Sequence, residues 1–338
     1  MKEPVSRLPE MVRALLEPGI YPDASAKVEL VQTQMSFVFL TGDYVYKVKK
    51  PVNLGYLDYS TLGKRYFYCQ REVELNRRLC PDAYLGVVAI TGEDKWFSLE
   101  GKGKVVDYAV KMRRLPQEGM LKMLLARGQV SAEMMRRVAW KLDDFHRRAE
   151  TNTAISAFGD LDTIVTNNEE NFTQTEKYIG RTISQNGYQH IKDYTRAFIE
   201  RNTPLFRKRI DDGKIRDCHG DLHAAHICFT DGICIFDCIE FNERFRYGDV
   251  ASEVAFLAMD LDNSGRADLS RSFVDAYIAS SQDKELSQLL TFYKCYRAYV
   301  RGKVESFKLD DPHIPEDEKA GILAAARKYF ELAESYVI

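Results

Sequence analysis

A small β-rich lobe followed by a larger helical lobe, an α+β layout, is the fold class this 338-residue sequence predicts. Three observations lead there. Period-two apolar patterning and hairpin turns dominate as far as Met112. Leu115-Pro116-Gln-Glu-Gly119 then breaks the chain, and beyond it helical periodicity takes over, interrupted by one strand-rich island from Ile215 to Phe241. The division falls at 1–115 and 116–338, and a ligand cleft is the default expectation for two such lobes.

The elements follow in order. A first helix is expected over Leu8–Glu17. Val28-Glu-Leu-Val-Gln-Thr33, Phe37–Leu40 and Tyr44–Lys49 read as strands, the last two joined by a Thr41-Gly42-Asp43 turn, with Pro51 ending the third. Ser60 is the expected N-cap of a helix reaching Leu79, since Leu75 and Leu79 stand at i, i+4. Strand patterns return at Leu85–Ile90 and Val105–Met112. Past the break, helices are expected at Met120–Arg127, Ala132–Arg148, Asn168–Ile179, Ile191–Glu200 and Pro204–Asp211. After the island they resume at Val250–Met259, Ser270–Ser280, Ser287–Gly302 and Pro315–Tyr336.

Composition excludes several classes. An apolar fraction of 45% supports a sizeable core, and a formal net charge of −2 argues against nucleic acid or a membrane surface as the main partner. No apolar run approaches the roughly 20 residues a membrane span needs, and the first residues show no signal-peptide core. The chain is therefore expected to be cytoplasmic. Its seven cysteines form no tight framework, which favours reduced thiols over disulfides. Cys218, Cys228, Cys234 and Cys238 lie near His219, His223 and His226, but without a C-x-x-C pair a structural zinc site is not the favoured reading.

The island carries the chemistry. Cys218-His219-Gly220-Asp221-Leu222-His223-Ala-Ala-His226 is followed by a short strand, a Thr230-Asp231-Gly232 turn, and Ile233-Cys-Ile-Phe236-Asp237. One carboxylate sits in a tight loop at 218–227, and a second closes a hairpin strand at 233–240. Phosphoryl transfer needs such a pair, one to orient a hydroxyl and accept its proton, the other to hold Mg²⁺ against nucleotide phosphates.

These residues resemble the signature of the aminoglycoside phosphotransferase family and its choline and fructosamine kinase relatives, H-G-D-x-H-x-x-N, then I-D, then G-D with a later acidic residue. The counterparts are His219 to His226, Phe236-Asp237, and Gly248-Asp249 with Glu253. The resemblance implies a bilobal protein-kinase-like fold with ATP and Mg²⁺ as cofactors, Asp221 as catalytic base and Asp237 as metal ligand. It further implies that His219 braces the loop and that Asp249 is a buried acceptor or helix N-cap. It is similar to a bacterial subgroup often fused to a P-loop ATPase domain. No G-x-x-x-x-G-K-[ST] run occurs here, so such a domain would be a separate partner. His226 replaces the family's metal-binding asparagine, and its imidazole suits Mn²⁺ or Zn²⁺ better than Mg²⁺.

In the small lobe, Lys47 and Lys49 share a strand face, and the family pattern favours Lys47 on the phosphates with Lys49 as alternative. Glu72 matches the helix glutamate that orients such a lysine; Glu74 points about 200° away and is expected to be exposed. Gln32-Thr-Gln-Met-Ser36 would cover the phosphates through N–H and hydroxyl donors. Met112 to Leu115 are the adenine candidates. The acceptor falls to the helical lobe, where Lys294, Arg297 and Arg301 recur at i, i+3, i+7. If that basic face lines the site, the acceptor is a small neutral or anionic molecule; the alternative is a solvated helix face. The function expected is phosphotransfer to an alcohol group. Alternatives are a catalytically weak nucleotide-binding pseudokinase or regulatory module, which His226 favours, and a kinase of a macromolecule, against which stands the lack of H-R-D and A-P-E patterns.

Overall fold

The computed structural model describes residues 8–21, 27–93, 96–311 and 314–337. In chain order its main elements are α1 (Glu10–Ala14), β1 (Glu29–Gln32), β2 (Ser36–Leu40), β3 (Tyr44–Lys49), α2 (Leu62–Arg77), β4 (Tyr84–Glu93), β5 (Trp96–Leu99) and β6 (Lys104–Arg113). Then come α3 (Leu121–Ala126), α4 (Ala132–Arg148), α5 (Thr153–Ser156), α6 (Leu161–Thr175), α7 (Gln185–Arg201) and α8 (Thr203–Asp211). β7 (Ile215–Asp217), β8 (Ile227–Phe229), β9 (Ile233–Ile235), α9 (Glu243–Arg246) and β10 (Tyr247–Asp249) make up the island and its exit. α10 (Val250–Asn263), α11 (Ala267–Ser281), α12 (Leu286–Lys308) and α13 (Glu316–Ser335) complete the chain.

The chain forms two compact units. One comprises Met1–Met123 with His226–Glu243, the other Leu124–Ala225 with Arg244–Ile338. The sequence boundary at 115/116 thus differs from the structural one, because the β8–β9 hairpin joins the first unit. Cys228 and Cys234 pack with Cys69, Tyr84 and Val110 in one apolar cluster. Gly119 makes the approach feasible, since a Cβ there would stand 2.2 Å from the Phe229 carbonyl oxygen. The Pro116–Gly119 break is therefore a seat for that hairpin.

In the first unit a six-stranded antiparallel sheet runs β1-β2-β3-β6-β4-β5. Strand alternation divides β3 between its two faces. Tyr46 and Val48 enter a core with Val12 and Leu15 of the N-terminal segment and Phe39 of β2, while Lys47 and Lys49 face the other way. α2 starts at Thr61, whose hydroxyl accepts from Lys64 N at 3.3 Å. Ser60, the expected cap, instead donates to Asp58 at 2.6 Å. β5 had no clear alternation to predict it; Trp96 on it is 85% exposed.

The second unit packs α10, α12 and α13 around Phe172, Tyr188, Phe256, Tyr299 and Phe330. α6 begins seven residues before the expected Asn168, and α12 runs six beyond Gly302, because buried positions continue through Glu305 and Ser306. Among the described residues no helix is long and apolar enough to cross a membrane.

The expectation of reduced thiols fails for one pair. Cys80, just past α2, and Cys234, on β9, form a disulfide with Cα atoms 4.6 Å apart, inside the range such bonds require. A separation of 154 residues hides this pairing from any local spacing rule. Alkylation of the protein unfolded without reductant is expected to modify five cysteines (69, 218, 228, 238 and 295), against seven after reduction. Seven in both cases would show that the bond does not form in solution.

Candidate active site

The first unit gathers one group of candidate residues around buried Glu72. Lys47 Nζ stands 2.9 Å from Glu72 Oε1 and 2.7 Å from Asp237 Oδ1, and Lys49 Nζ donates to Glu72 Oε2 at 2.6 Å. Lys49 also pairs with Glu240, which accepts from the Tyr59 hydroxyl at 2.6 Å, and the ammonium lies 4.8 Å from the Tyr59 ring centre. Burial alone would raise the Glu72 carboxyl, but the two ammonium groups hold it below its usual range. Burial likewise opposes the charge on Lys47, yet the Asp237 and Glu72 carboxylates raise it well above the ordinary lysine value. Both lysines are thus locked in the charged form. Glu74, as expected, points outward to Arg71 at 2.6 Å.

Asp237 follows β9 in the left-handed region, φ 62°, where Asp is tolerated better than most residues. Neighbouring contacts hold it there. Its N–H donates to the Tyr84 hydroxyl at 3.2 Å, and the next N–H, of Cys238, donates to Asn76 Oδ1 at 2.9 Å. Asn76 in turn donates to the Glu72 carbonyl at 2.8 Å. The His226 Nε2 lies 3.4 Å from Asp237 Oδ2. One carboxylate and one imidazole, with 42% of the Asp237 side chain exposed, make a donor set that fits a divalent cation completed by ligand oxygens.

Met112 and Leu115, the adenine candidates, are half-buried against the Val110–Tyr84 cluster. The N–H groups of Arg113 and Arg114, between them, donate to Ala83 and Asp43 carbonyls at 2.8 Å each. The Gln32–Ser36 turn corrects an expectation. Met35 and Ser36 N–H donate to Thr33 Oγ1 at 3.2 and 2.9 Å, so these donors close the turn on itself rather than standing ready for phosphates.

The second unit holds Asp221. Gly220, at φ 86°, supplies the left-handed turn that precedes it. Glu253 Oε1 accepts from His219 N at 2.8 Å and Gly220 N at 2.7 Å, and its Oε2 meets His146 Nε2 at 2.8 Å. His146 Nδ1 lies 2.7 Å from the Tyr277 hydroxyl. Burial would raise Glu253; the contact with His146 and the loop N–H groups outweigh it and hold the carboxyl below its ordinary value. Arg297 donates to the Gly220 carbonyl at 3.2 Å, and Asp260 accepts from Ala224 N at 2.9 Å. The loop main chain is thus held from both sides. Asp221 Oδ2 itself lies 3.6 Å from His223 Nε2.

Asp249 caps α10, accepting from Ala251 N at 2.8 Å, and is paired twice with buried Arg209, which also grips Asp283. His146, Tyr277, Asn76 and Arg209 were not legible as site support; each is a single polar residue in a helix pattern, and only the fold brings it to its partner. The basic face on α12 is not solvated. Lys294 donates to Asp262 at 2.8 Å, Arg297 holds the loop, and Arg301 lies half-buried one turn further.

Residues 105–290 match the family model described as phosphotransferase enzyme family. The chain belongs to that family. Two uncharacterized proteins, from Mycobacterium tuberculosis and Mycobacterium bovis, are each 33% identical over 303 residues, 89% of this chain. The chain spans 59% of the length of these relatives. A choline/ethanolamine kinase family protein from Mesorhizobium loti shares the fold, with a TM-score of 0.51 at 11% identity over 97% of both chains. A glucosamine kinase also matches, at 17% identity over 94% of this chain and 83% of its own, with a TM-score of 0.44. This member of the phosphotransferase enzyme family has the kinase-like fold, and its motif residues, His219 to His226 and Asp237, fall within the matched segment.

Proposed function

We propose that the protein is a Mg²⁺-ATP-dependent kinase acting on a hydroxyl of a small neutral or anionic molecule. The observation that carries this reading is the set in which Lys47 meets both buried Glu72 and half-exposed Asp237. A lysine oriented by a helix glutamate and placed beside a metal-binding aspartate is what nucleotide phosphates require. Asp237 and His226 would hold the cation, Mg²⁺ or Mn²⁺, which supplies charge neutralisation at the phosphates. Lys47 binds phosphate oxygens, and Glu72 keeps its ammonium charged and aimed. Lys49, tied to Glu72 and Glu240, acts as support. Met112 and Leu115 flank the adenine.

Asp221 orients the acceptor hydroxyl and takes its proton as that oxygen bonds to the γ-phosphorus. The bond from phosphorus to the ADP oxygen breaks, and ADP leaves with the electron pair. His219 and Glu253 keep the loop in the shape this requires. The nearness of His226 to Asp237 supports a ligand role there. A P-loop ATPase partner belongs to the same proposal by family analogy.

Mg²⁺-ATP at a hundredfold excess over Kd is expected to stabilise the protein by about 2.7 kcal/mol, a rise in melting temperature on the order of 4 °C for a chain of this size. No shift with ATP, ADP or GTP at millimolar concentration, with Mg²⁺ or Mn²⁺, would overturn the nucleotide site.

A further inference from the structure

The side chains around Asp221 differ in how fully they are occupied. Arg297 is committed: its Nη1 donates to the Gly220 carbonyl at 3.2 Å, its Nε to Ser252 Oγ at 3.1 Å, and its guanidinium covers Phe256 at 4.7 Å. Lys294 is neutralised by Asp262 and bonded to Ser270 at 3.0 Å. Asp260 is spent on the Ala224 N–H. Arg301 is different. It stands one helical turn beyond Arg297 on the same face of α12, with 23% of its side chain exposed.

Among the described residues its buried Nε has no hydrogen-bond partner. Its nearest carboxylate, Glu305, is 3.8 Å away and already takes two bonds from Lys308 at 2.8 and 2.9 Å. Tyr329 of α13 lies beneath the guanidinium at 5.5 Å. That approach depends on Gly302, where a Cβ would stand 3.0 Å from the Phe330 ring. Burial weakens Arg301's hold on its proton, but the Tyr329 hydroxyl and the Asp221 carboxylate more than restore it; the base and this guanidinium lie within each other's field. An arginine fixed by packing, with its one ion-pair contact among the described residues at 3.8 Å and its Nε donor unused, is suited to grip a planar or tetrahedral oxyanion.

We infer that Arg301 and Tyr329 form the acceptor subsite, and that the acceptor carries an oxyanion, a carboxylate or a phosphate, besides the hydroxyl that Asp221 activates. This rests on the kinase reading above. A cationic acceptor is disfavoured here, because Arg297 and Arg301 flank the base where an acidic wall would be needed.

The test compares matched acceptors by ADP release: glycerol with D-glycerate and glycerol 3-phosphate, glucose with gluconate and glucose 6-phosphate, and choline as the cation. Calorimetric titration of the same compounds gives a second readout that needs no turnover. At least one anion is expected to exceed its neutral counterpart about tenfold or more in kcat/KM, the carboxylate and phosphate arms deciding which oxyanion it is. Arg301→Met should then raise KM for that anion by about 10- to 100-fold, with the loss in KM rather than kcat, and Arg301→Lys should recover part of it. Preference for a neutral compound or choline overturns the proposal, as does a loss in Arg301→Met that falls equally on all acceptors. Absence of both turnover and binding across the anionic arms also overturns it. Failure of the kinase reading shows separately, as the lack of any Mg²⁺-ATP stabilisation.

Discussion

Replacing Asp221 by asparagine is expected to lower phosphoryl transfer by about 10²- to 10⁴-fold while leaving the nucleotide affinity within a few-fold of wild type. In the proposed mechanism the carboxylate acts on the acceptor hydroxyl and not on the nucleotide, and asparagine keeps its shape. Folding should be spared, because the loop is held through main-chain groups. Glu253 binds the His219 and Gly220 N–H groups, and Arg297 binds the Gly220 carbonyl. None of these contacts uses the Asp221 side chain, which is 31% exposed. Asp237→Asn is the contrast. It removes the charge that faces Lys47 and the cation, so metal-dependent nucleotide binding should weaken together with turnover. Measuring ADP release, calorimetric ATP binding and melting temperature on both variants separates the roles. Equal loss of ATP binding in the two would show that Asp221 is structural.

The second large effect is on stability. Among the described residues Glu72 is the carboxylate that pairs with both Lys47 and Lys49, and its side chain is fully buried. Removing it breaks a buried ion pair of each lysine, which costs up to about 3–5 kcal/mol, while Asp237 still faces Lys47 and Glu240 still faces Lys49. Glu72→Gln tests the charge without changing volume, and Glu72→Ala adds the cavity. Urea denaturation should show a loss of that size for both, whereas a loss below about 1 kcal/mol would mean the lysines find water or other carboxylates at little cost. The pH dependence follows from the same shifts. The folded Glu72 carboxyl is lowered, so its contribution is complete above the unfolded value of about 4.3 and is lost as pH falls through the folded one. Lys47 is raised in the folded state, so its contribution is complete below the unfolded value of about 10.4 and fades as pH rises through the folded one. Wild type should therefore lose stability as pH falls below the acid limit, and Glu72→Gln should show a smaller acid-side loss from a lower starting stability.

What the sequence disclosed and what it hid divide along a physical line. β3, α4 and the α10 start were legible because one residue type repeats with the period of the element, and a capping residue marks its edge. The meeting of Lys47 with Glu72 and Asp237 was foreshadowed because the family pattern the sequence resembles names those residue types. The shared use of Glu72 by two lysines was not, since alternation places Lys47 and Lys49 on one face without saying which carboxylates meet them. Nor does alternation show that Glu240 is buried between Lys49 and Tyr59. The Cys80–Cys234 bond, the Asn76 bridge and the His146–Tyr277 support join residues more than seventy positions apart or lie in unremarkable helix patterns. No local period records such contacts.

The C-terminal half of α2 is fastened to the strand that carries Asp237 at three separate points. Asn76 bridges the Glu72 carbonyl and the Cys238 N–H, Arg78 reaches the Cys238 sulfur at 3.4 Å, and Cys80 is bonded to Cys234. In many kinases the corresponding helix is a lever, swung away to silence the enzyme and back to rouse it. Here the lever is bolted down. A swing of α2 would have to drag the Asp237 hairpin along or break a covalent bond, so Lys47, Glu72 and Asp237 move as one rigid piece. For the kinase proposed above, a mechanical off-switch at this helix is then closed unless a reductant first frees it.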